Sequence, residues 1–190
     1  MKVIKWIFVF VSSIRLIPHY FFYLMNKSVI DGDISVAPYK EKKLFWLLTY
    51  HKDFRSLFYK RTGKIGYLLN CLARKQQDLF INSNLPLGKN CCFVHAHTTH
   101  LNAKSIGDNF TCFHLVTIGD SVIPHGTPII GDNVMVCCGA SILGDITIGN
   151  NVIVAAGAVV TKSVPDNCMV GGVPAKIIKN IGSPVKPCVE

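Results

Sequence analysis

The 190-residue chain has few charged side chains: Asp, Glu, Lys and Arg make up 16% of it, against 49% for hydrophobic residues. This balance excludes a disordered chain and a soluble helical rod. A surface so poor in charge is typical of a protein that another subunit or a membrane covers. The length suits one core-forming domain with a smaller appendage.

Acidic residues are especially scarce, since 11 Asp and Glu stand against 20 Lys and Arg, a formal net charge of +9. The excess fits a phosphate-bearing ligand, an anionic membrane face or a nucleic acid, or a general solvation charge. No RNA-binding signature, zinc finger or recognition-helix pattern accompanies it. Nucleic acid is therefore not an expected partner.

The eight cysteines include no C-x-x-C pair, which argues against a zinc ribbon. Cys91-Cys92 and Cys137-Cys138 are vicinal pairs in strand-like runs, where neighbouring side chains point to opposite faces. This arrangement does not suggest a disulfide framework. We expect reduced thiols that pack as small hydrophobic groups in a cytoplasmic protein.

Residues 1–25 lack a small-x-small cleavage site and an uninterrupted apolar run long enough to span a bilayer. Lys2 and Lys5 precede an apolar stretch that Arg15 and Pro18 interrupt. Two interpretations stay open: a helix lying in the membrane interface with its basic residues toward the headgroups, or a helix that packs in an oligomer. The first would place the protein peripherally at the inner membrane face.

Two regions of the chain differ in pattern. Up to about residue 79, apolar residues recur at three- and four-residue intervals, which predicts two or three short helices. From about residue 80, β-branched residues alternate with Gly, Asp and Asn. The helical spacing is carried by Leu44, Leu47, Leu48, Phe54, Leu57 and Phe58.

A six-residue repeat runs through the second region, with an aliphatic residue at position one and a small or aliphatic residue at position five. Position one is filled by Ile130, Val136, Ile142, Ile148, Val154 and Val160, and position five by Val134, Ala140, Ile146, Val152, Ala158 and Val164. The phase extends back through Ile106, Phe110, Cys112, Val116, Ile118 and Val122. Pro124 and Pro128 occupy these positions in the intervening unit, which predicts a local irregularity.

A period of six fits neither a helix nor a simple strand. It fits short strands separated by corners, in a chain that coils so that each turn bonds the next about 4.8 Å away. Gly-Asp-Asn or Gly-Asn-Asn follows Ile106, Ile130 and Ile148 and supplies permissive corners. We therefore predict that the aliphatic positions stack into an interior column.

Several motifs resemble those of a known enzyme family. The closing stretch AAGAVVTKSVPDNCMVGGVPAKIIKN (residues 155–180) resembles the end of the β-helix in hexapeptide-repeat acyltransferases. Upstream, HKDFRSLFYKRTGKIGYLL, CCFVHAHTTHLNAKSIGDN and LVTIGD are similar to the serine acetyltransferase branch. The resemblance covers about residues 45 to 180.

The resemblance implies a mainly β fold, a left-handed parallel β-helix of hexapeptide repeats over residues 80–172. A small α-helical region at residues 1–79 precedes it and serves membrane contact or oligomerisation. Residues 173–190 form a segment that closes the cofactor site. A homotrimer is also implied, either single or paired with a second trimer.

The resemblance also implies an O-acetyltransferase that moves an acetyl group from acetyl-CoA, as co-substrate, to a hydroxyl acceptor. The segment CCFVHA places His95 at the family's general base. An imidazole with an ordinary pKa near 6.5 is a suitable acceptor for the proton of an attacking alcohol. Backbone N–H groups at coil corners would stabilise the tetrahedral oxyanion.

The family's cofactor contacts carry over to seven positions. Small residues let the pantetheine arm lie along a coil edge, a polar pair meets the cofactor's distal end, and two lysines attract its phosphates. These are, in that order, Cys138, Ala156 and Gly157, then Thr161 and Lys162, then Lys176 and Lys179. No metal is expected.

The acceptor site of the branch is altered in this chain. Val94 replaces an aspartate that holds serine's amino group, and Gly126 and Thr127 replace an Arg-His pair that grips its carboxylate. Phe80 replaces the aspartate that orients the histidine, with Asp78 two residues away, so the orienting acid is open. These departures favour a sugar hydroxyl, of a cell-surface polysaccharide or its precursor, with serine O-acetylation of cysteine biosynthesis as the alternative.

Other histidines accompany His95. In an extended strand His95 and His97 would share a face, a geometry that can bind zinc. His97 also falls at an inward position of the repeat, which predicts a packed or supporting side chain. His97, His100, His114 and His125 are candidates to line the acceptor cleft.

Two other classes of function stay open. A related group of hexapeptide-helix proteins holds a metal with histidines of adjacent subunits and hydrates carbon dioxide. Stoichiometric zinc would favour such a carbonic-anhydrase-like hydratase. A non-catalytic scaffold, by contrast, would not bind acetyl-CoA.

Overall fold

The computed structural model describes residues 14–36, 43–122 and 125–182. Its N-terminal part is helical, and there the prediction of two or three helices was too low. The described residues form five, because single residues outside the helical conformation interrupt the run: His51 has φ −107° and ψ 98°, and Gly63 has φ +62°. They are α1 Ile17–Met25, α2 Lys27–Ser35, α3 Leu44–Tyr50, α4 Lys52–Arg61 and α5 Lys64–Leu69.

A buried ion pair fastens this helical region to the rest of the chain. Arg61 on α4 donates from Nε to the Asp33 carboxylate of α2 at 2.9 Å and from Nη1 to the Leu87 carbonyl at 2.8 Å. Asp33 also accepts the backbone N–H of Cys91 at 2.8 Å. Helices α2 and α4 are thereby held against the first turn of the β-region.

Helix α1 has one buried and one exposed apolar face. Leu16 and His19 are fully buried, whereas Ile17, Phe21 and Met25 are exposed. No helix in the described ranges is both long and apolar enough to cross a membrane. Of the predicted interfacial or oligomer-packing segment, residues 1–13 lie outside the described residues.

The β-region is a coil whose strands stack into three mostly parallel sheets. The strands are β1 Leu79–Ile81, β2 Cys92–Phe93, β3 Thr99–Leu101, β4 Ser105–Ile106, β5 Thr111–Cys112, β6 Thr117–Gly119, β7 Ile129–Ile130, β8 Met135–Val136, β9 Ser141–Leu143, β10 Thr147–Ile148, β11 Val152–Val154, β12 Val159–Val160, β13 Cys168–Gly171 and β14 Lys176–Asn180. Face A joins β1, β3, β6, β9 and β12, face B joins β4, β7 and β10, and face C joins β2, β5, β8, β11, β13 and β14. The pairing of β13 with β14 is antiparallel.

The predicted interior column is confirmed. All twelve aliphatic positions of the six phased units are buried, as are five of the six positions to which the phase extends upstream. Val122 is the exception and is 79% exposed, so its predicted inward position was wrong. The physical reason is a longer coil: Thr111 pairs with Met135, 24 residues on, whereas Met135 pairs with Ile153, 18 residues on.

The extra residues of that coil leave the prism between Gly119 and Ile129, where the sequence predicted an irregularity. Of the two prolines that marked it, Pro128 is buried and Pro124 lies outside the described residues.

None of the cysteines in the described residues forms a disulfide, but they do not all pack as small hydrophobic groups, since Cys71 is exposed and Cys137 and Cys138 are half-buried. Cys91, Cys92, Cys112 and Cys168 are buried, and Cys188 lies outside the described residues.

The corner between faces B and C explains the Gly-Asp-Asn motif. Its asparagines adopt φ between 55° and 60°. The side-chain amide of Asn109 accepts a hydrogen bond from Asn90 and donates one to Asn133, each 3.0 Å long. From Asn109 onward, the side chain of the residue before each asparagine accepts a backbone N–H of the preceding coil, as when Asp132 Oδ1 accepts the Asp108 N–H at 2.8 Å. The repeated motif is therefore a ladder of corner hydrogen bonds. The asparagines are Asn90, Asn109, Asn133, Asn151 and Asn167.

The glycine of this motif allows adjacent coils to approach closely. A Cβ at Gly131 would lie 2.9 Å from the carbonyl carbon and oxygen of Gly149. We expect Gly131→Ala to lower the free energy of unfolding by about 1–3 kcal/mol, because backbone atoms would have to separate. Urea denaturation measures this, with Gly119→Ala as control, since nothing lies within 4 Å of a Cβ there. Equal shifts in the two variants would contradict the steric explanation.

His19 is a buried histidine held in its neutral form. Tyr59 donates its hydroxyl proton to the Ala73 carbonyl at 2.6 Å, so the 2.8 Å contact between His19 Nε2 and that hydroxyl has the imidazole as donor. Nδ1 has no partner within the described residues. Burial, with smaller contributions from the cations Arg55 and Arg15, lowers the pKa of His19 from 6.5 to about 4.

This lowered pKa predicts acid destabilisation of the helical region. Between pH 6.5 and pH 4 the unfolded chain binds a proton at His19 that the folded chain does not, so stability falls as pH falls. Linkage gives a loss of roughly 1 kcal/mol at pH 5.5 and roughly 2–3 kcal/mol at pH 4.5. Melting curves of wild type and His19→Leu from pH 7.5 to 4.5 test this. The wild type should lose more stability than the variant, and parallel curves would contradict the assignment.

Candidate active site

The corner between faces C and A gathers most of the predicted catalytic and groove residues. Backbone bonds stack it coil upon coil: Leu115 N donates to His97 O at 3.0 Å, Gly139 N to His114 O at 3.0 Å, and Gly157 N to Cys138 O at 2.9 Å. The side chains along it therefore form a continuous edge, here called the histidine edge. It consists of His95, His97, His114, Cys138 and Ala156.

His95 lies in a two-residue bulge at the first coil of this edge. Phe93 pairs with Cys112, and His100 pairs with Thr117. The segment from Phe93 to His100 is therefore two residues longer than the segment from Cys112 to Thr117 in the next coil. The backbone bonds from Val94 N to Cys112 O and from Leu115 N to His97 O place the extra residues at His95 and Ala96.

The bulge is closed by a tight turn. His95 has φ +48°, and the His97 N–H donates to the His95 carbonyl at 2.6 Å. Ala96 points into the core and is fully buried, whereas His95 is exposed. The imidazole of His95 is thus available to a ligand.

The bulge corrects two predictions about His97. His95 and His97 do not share a face of a strand, because His95–Thr98 form the turn between β2 and β3. His97 is not at an inward position but is exposed, because the two extra residues shift the repeat at this point. Its ring stacks on that of His114, with centroids 5.0 Å apart and planes at 15°.

A cleft of about 350 Å³ lies between the bulge and the junction of α3 with α4. The helices contribute Tyr50, His51, Lys52 and Asp53, and Gln76, His95, Ala96 and His97 complete the wall. Asp53 Oδ1 accepts the Phe54 N–H at 2.8 Å and lies 3.9 Å from His51 Nδ1. The helical wall was not predicted, because no sequence spacing relates it to His95.

A larger cavity of about 440 Å³ lies between α4, α5 and β1 and includes none of the predicted site residues. The smaller cleft is the one that the predicted base His95 lines. Within the described ranges, no group of three or more His, Cys, Asp and Glu side chains is arranged to hold a metal ion.

The remaining predicted residues lie elsewhere on the prism. His100 points outward from β3 and stacks on Phe80, with centroids 4.5 Å apart. His125 is exposed at the corner between faces A and B, and Thr161 and Lys162 leave β12 at the same corner. Lys176 and Lys179 are exposed on β14, and the pairing of Lys176 with Gly171 puts the start of that strand beside the corner between faces C and A. Within one protomer, His125, Thr161 and Lys162 therefore lie at a different corner from His95.

Comparison with known proteins agrees with the coil and its repeat. The family described as bacterial transferase hexapeptide (six repeats) matches residues 127–162. A serine acetyltransferase of Synechococcus elongatus is 33% identical over 146 residues, which are 75% of this chain and 60% of that protein. The chain thus spans less than two thirds of that relative.

Solved structures extend the likeness to most of the chain. Serine acetyltransferase from Brucella abortus in complex with coenzyme A has a TM-score of 0.68 at 29% identity, covering 85% of this chain and 72% of that one. Neisseria gonorrhoeae serine acetyltransferase in complex with serine has a TM-score of 0.64 at 28% identity, covering 80% and 69%. The expected left-handed β-helix with a small helical N-terminal region is thereby confirmed. The chain thus carries the hexapeptide repeat of bacterial transferases and is similar over most of its length to the serine acetyltransferases.

Proposed function

We propose that the chain transfers an acetyl group from acetyl-CoA to a hydroxyl group, with His95 as general base. The observation that carries this is the position of His95: a bulge exposes its imidazole at one end of the histidine edge, and small residues, Cys138 and Ala156, form the other end. Likeness to a serine acetyltransferase solved with coenzyme A supports the cofactor.

The reaction needs one proton acceptor. Neutral His95 takes the hydroxyl proton as the acceptor oxygen attacks the thioester carbonyl, which gives a tetrahedral oxyanion. Collapse breaks the carbon–sulfur bond, and the imidazolium returns the proton to the leaving thiolate. The products are an acetyl ester and free coenzyme A.

The proposed cofactor path follows the histidine edge. Cys138, Ala156 and Gly157 leave room for the pantetheine arm beside the backbone, and Lys176 and Lys179 provide charge for its phosphates. Thr161 and Lys162 lie at a different corner from His95, so we propose that a second copy in a homotrimer completes the site.

Serine is the proposed acceptor. The cleft around His95 contains a carboxylate and an ammonium on adjacent residues, Asp53 and Lys52, which suit the amino and carboxylate groups of a free amino acid. They would replace the clamp that Val94, Gly126 and Thr127 do not provide. The relatives reported above are serine acetyltransferases, and one was solved with serine.

A sugar hydroxyl is the second candidate acceptor. The observation that favours it is Val94, whose side chain packs against the apolar cluster of the helices and offers no charge to an amino group. Cytoplasmic location and peripheral membrane contact through residues 1–25 stay predictions. The exposed apolar face of α1 suits both membrane contact and subunit packing.

We expect His95→Ala to lower kcat by roughly 10² to 10⁴-fold, because the attacking hydroxyl loses its proton acceptor. Affinity for acetyl-CoA should change little, since Cys138, Ala156 and Gly157, which line the proposed pantetheine path, are unchanged. Steady-state kinetics and calorimetry measure the two effects. Near-normal turnover would require another base.

Incubation with labelled acetyl-CoA and a panel of serine, free sugars and lipid-linked sugars tests the acceptor. We expect label on serine, and Asp53→Asn should raise the KM for serine while leaving that for acetyl-CoA unchanged. The asparagine keeps an oxygen that can accept the Phe54 N–H, so this hydrogen bond is retained in the variant. Label on sugars alone would establish the second candidate.

A further inference from the structure

We propose that Asp78 is a positioning residue for His95, acting through the backbone of Thr98 and not through the imidazole. The inference rests on the proposed role of His95 as general base. In the serine acetyltransferase branch an aspartate orients the catalytic histidine; this chain has Phe80 at that position, and the inference concerns what takes over the role.

Thr98 occupies a backbone conformation that its side chain disfavours. It has φ +49°, and its counterparts down the same corner are Leu115, Gly139 and Gly157, with φ +59°, +69° and +67°. Two deeper coils use glycine, for which positive φ carries no steric penalty. A β-branched residue with positive φ is an outlier that persists when its surroundings hold it there.

The Asp78 carboxylate provides that hold. Its Oδ2 accepts the Thr98 N–H at 3.0 Å and the Thr98 hydroxyl at 3.3 Å. The Asp78 carbonyl accepts the next N–H, from Thr99, at 2.9 Å. One residue thus fixes both sides of the corner that ends the bulge.

The same clamp ties the bulge to the opposite wall of the cleft. Gln76 donates its side-chain amide to Asp78, and its backbone N–H donates to Ser56 Oγ at 3.1 Å and to the Lys52 carbonyl at 3.2 Å. Ser56 and Lys52 belong to α4, which also carries Asp53. Asp78 therefore helps to fix the position of His95 relative to Lys52 and Asp53, the proposed acceptor-binding residues of α4.

No carboxylate holds the His95 ring directly within the part of the chain that the structure describes. Phe80 stacks on His100, and Asp78 is engaged by Thr98 and Gln76. The direction of the His95 Cα–Cβ bond, and so the place that the imidazole can reach, then depends on the backbone, which the turn from His95 to Thr98 fixes. Loss of the hydrogen bonds that hold Thr98 should therefore misplace the imidazole without weakening the binding of acetyl-CoA.

The test compares Asp78→Ala, Asp78→Asn and the double variant Asp78→Ala/Thr98→Gly with wild type. We expect Asp78→Ala to lower kcat by about 10- to 100-fold, since small misplacements of a catalytic group are that costly, with little change in KM for acetyl-CoA. Asp78→Asn should keep most activity, because its amide oxygen still accepts the Thr98 N–H. The double variant should recover most of the lost kcat, because glycine adopts the corner unaided.

Asp108→Ala is the matched control. Asp108 Oδ1 accepts the Lys89 N–H at 2.7 Å, an equivalent bond at the corner between faces B and C, away from His95. It should lower the melting temperature without the kcat loss. An unshifted pH profile of kcat/KM in Asp78→Asn would support positioning, whereas a downward shift would indicate a direct charge effect on the imidazole and overturn the proposal.

Hydrogen exchange separates this inference from the proposed function, since it needs no substrate. Asp78→Ala should expose the amides of residues 97–99, and the double variant should restore protection at residue 99. Unchanged protection, or a double variant no more active than Asp78→Ala, would refute the clamp. An inactive wild type with these exchange changes would refute the proposed function and keep the clamp.

Discussion

Backbone hydrogen bonds between successive coils govern this molecule. Each N–H on a face donates to the coil beside it, as when Thr117 N donates to Ala140 O at 3.0 Å, and this requires stacked coils to stay in register. An extra residue cannot be absorbed within a face without breaking the ladder, so it must leave at a corner. The chain does so at the bulge of His95 and Ala96 and in the longer coil that carries His125. Departures from the repeat thus create room for chemistry.

The corners differ in how they satisfy their backbone. Between faces B and C, asparagines in the left-handed region bond to one another, so the corner is self-sufficient and regular. Between faces C and A, glycine serves the deeper coils, whereas Thr98 and Leu115 stand at the first two. At the first coil, Thr98 donates hydrogen bonds to Asp78, which immediately precedes β1. Gln76, two residues before Asp78, donates hydrogen bonds to Ser56 and Lys52 of α4, so the same segment couples the corner to the helical region.

Sequence alone predicted the coil, its corners and the buried column, because a strict period of six leaves few ways to bury aliphatic residues. The resemblance supplied His95. The period failed at His97 and Val122, since it assumes unbroken register and cannot locate an insertion to within two residues. Lys52 and Asp53 were missed for another reason: no local pattern links a helix start to a corner forty residues later. Their meeting with His95 is a result of tertiary packing anchored by Arg61 and Asp33.

The bulge also explains why an exposed base can be well positioned. Ala96 is fully buried, so the two inserted residues face opposite ways, one into the core and one into the cleft. The backbone of His95 cannot move far without withdrawing the Ala96 methyl from its packing or breaking the hydrogen bond from His97 N to His95 O. Core packing on one side and the Thr98 corner on the other therefore limit the backbone of a residue whose side chain stays open to substrate. In this way the fold fixes the point from which the imidazole projects into the cleft.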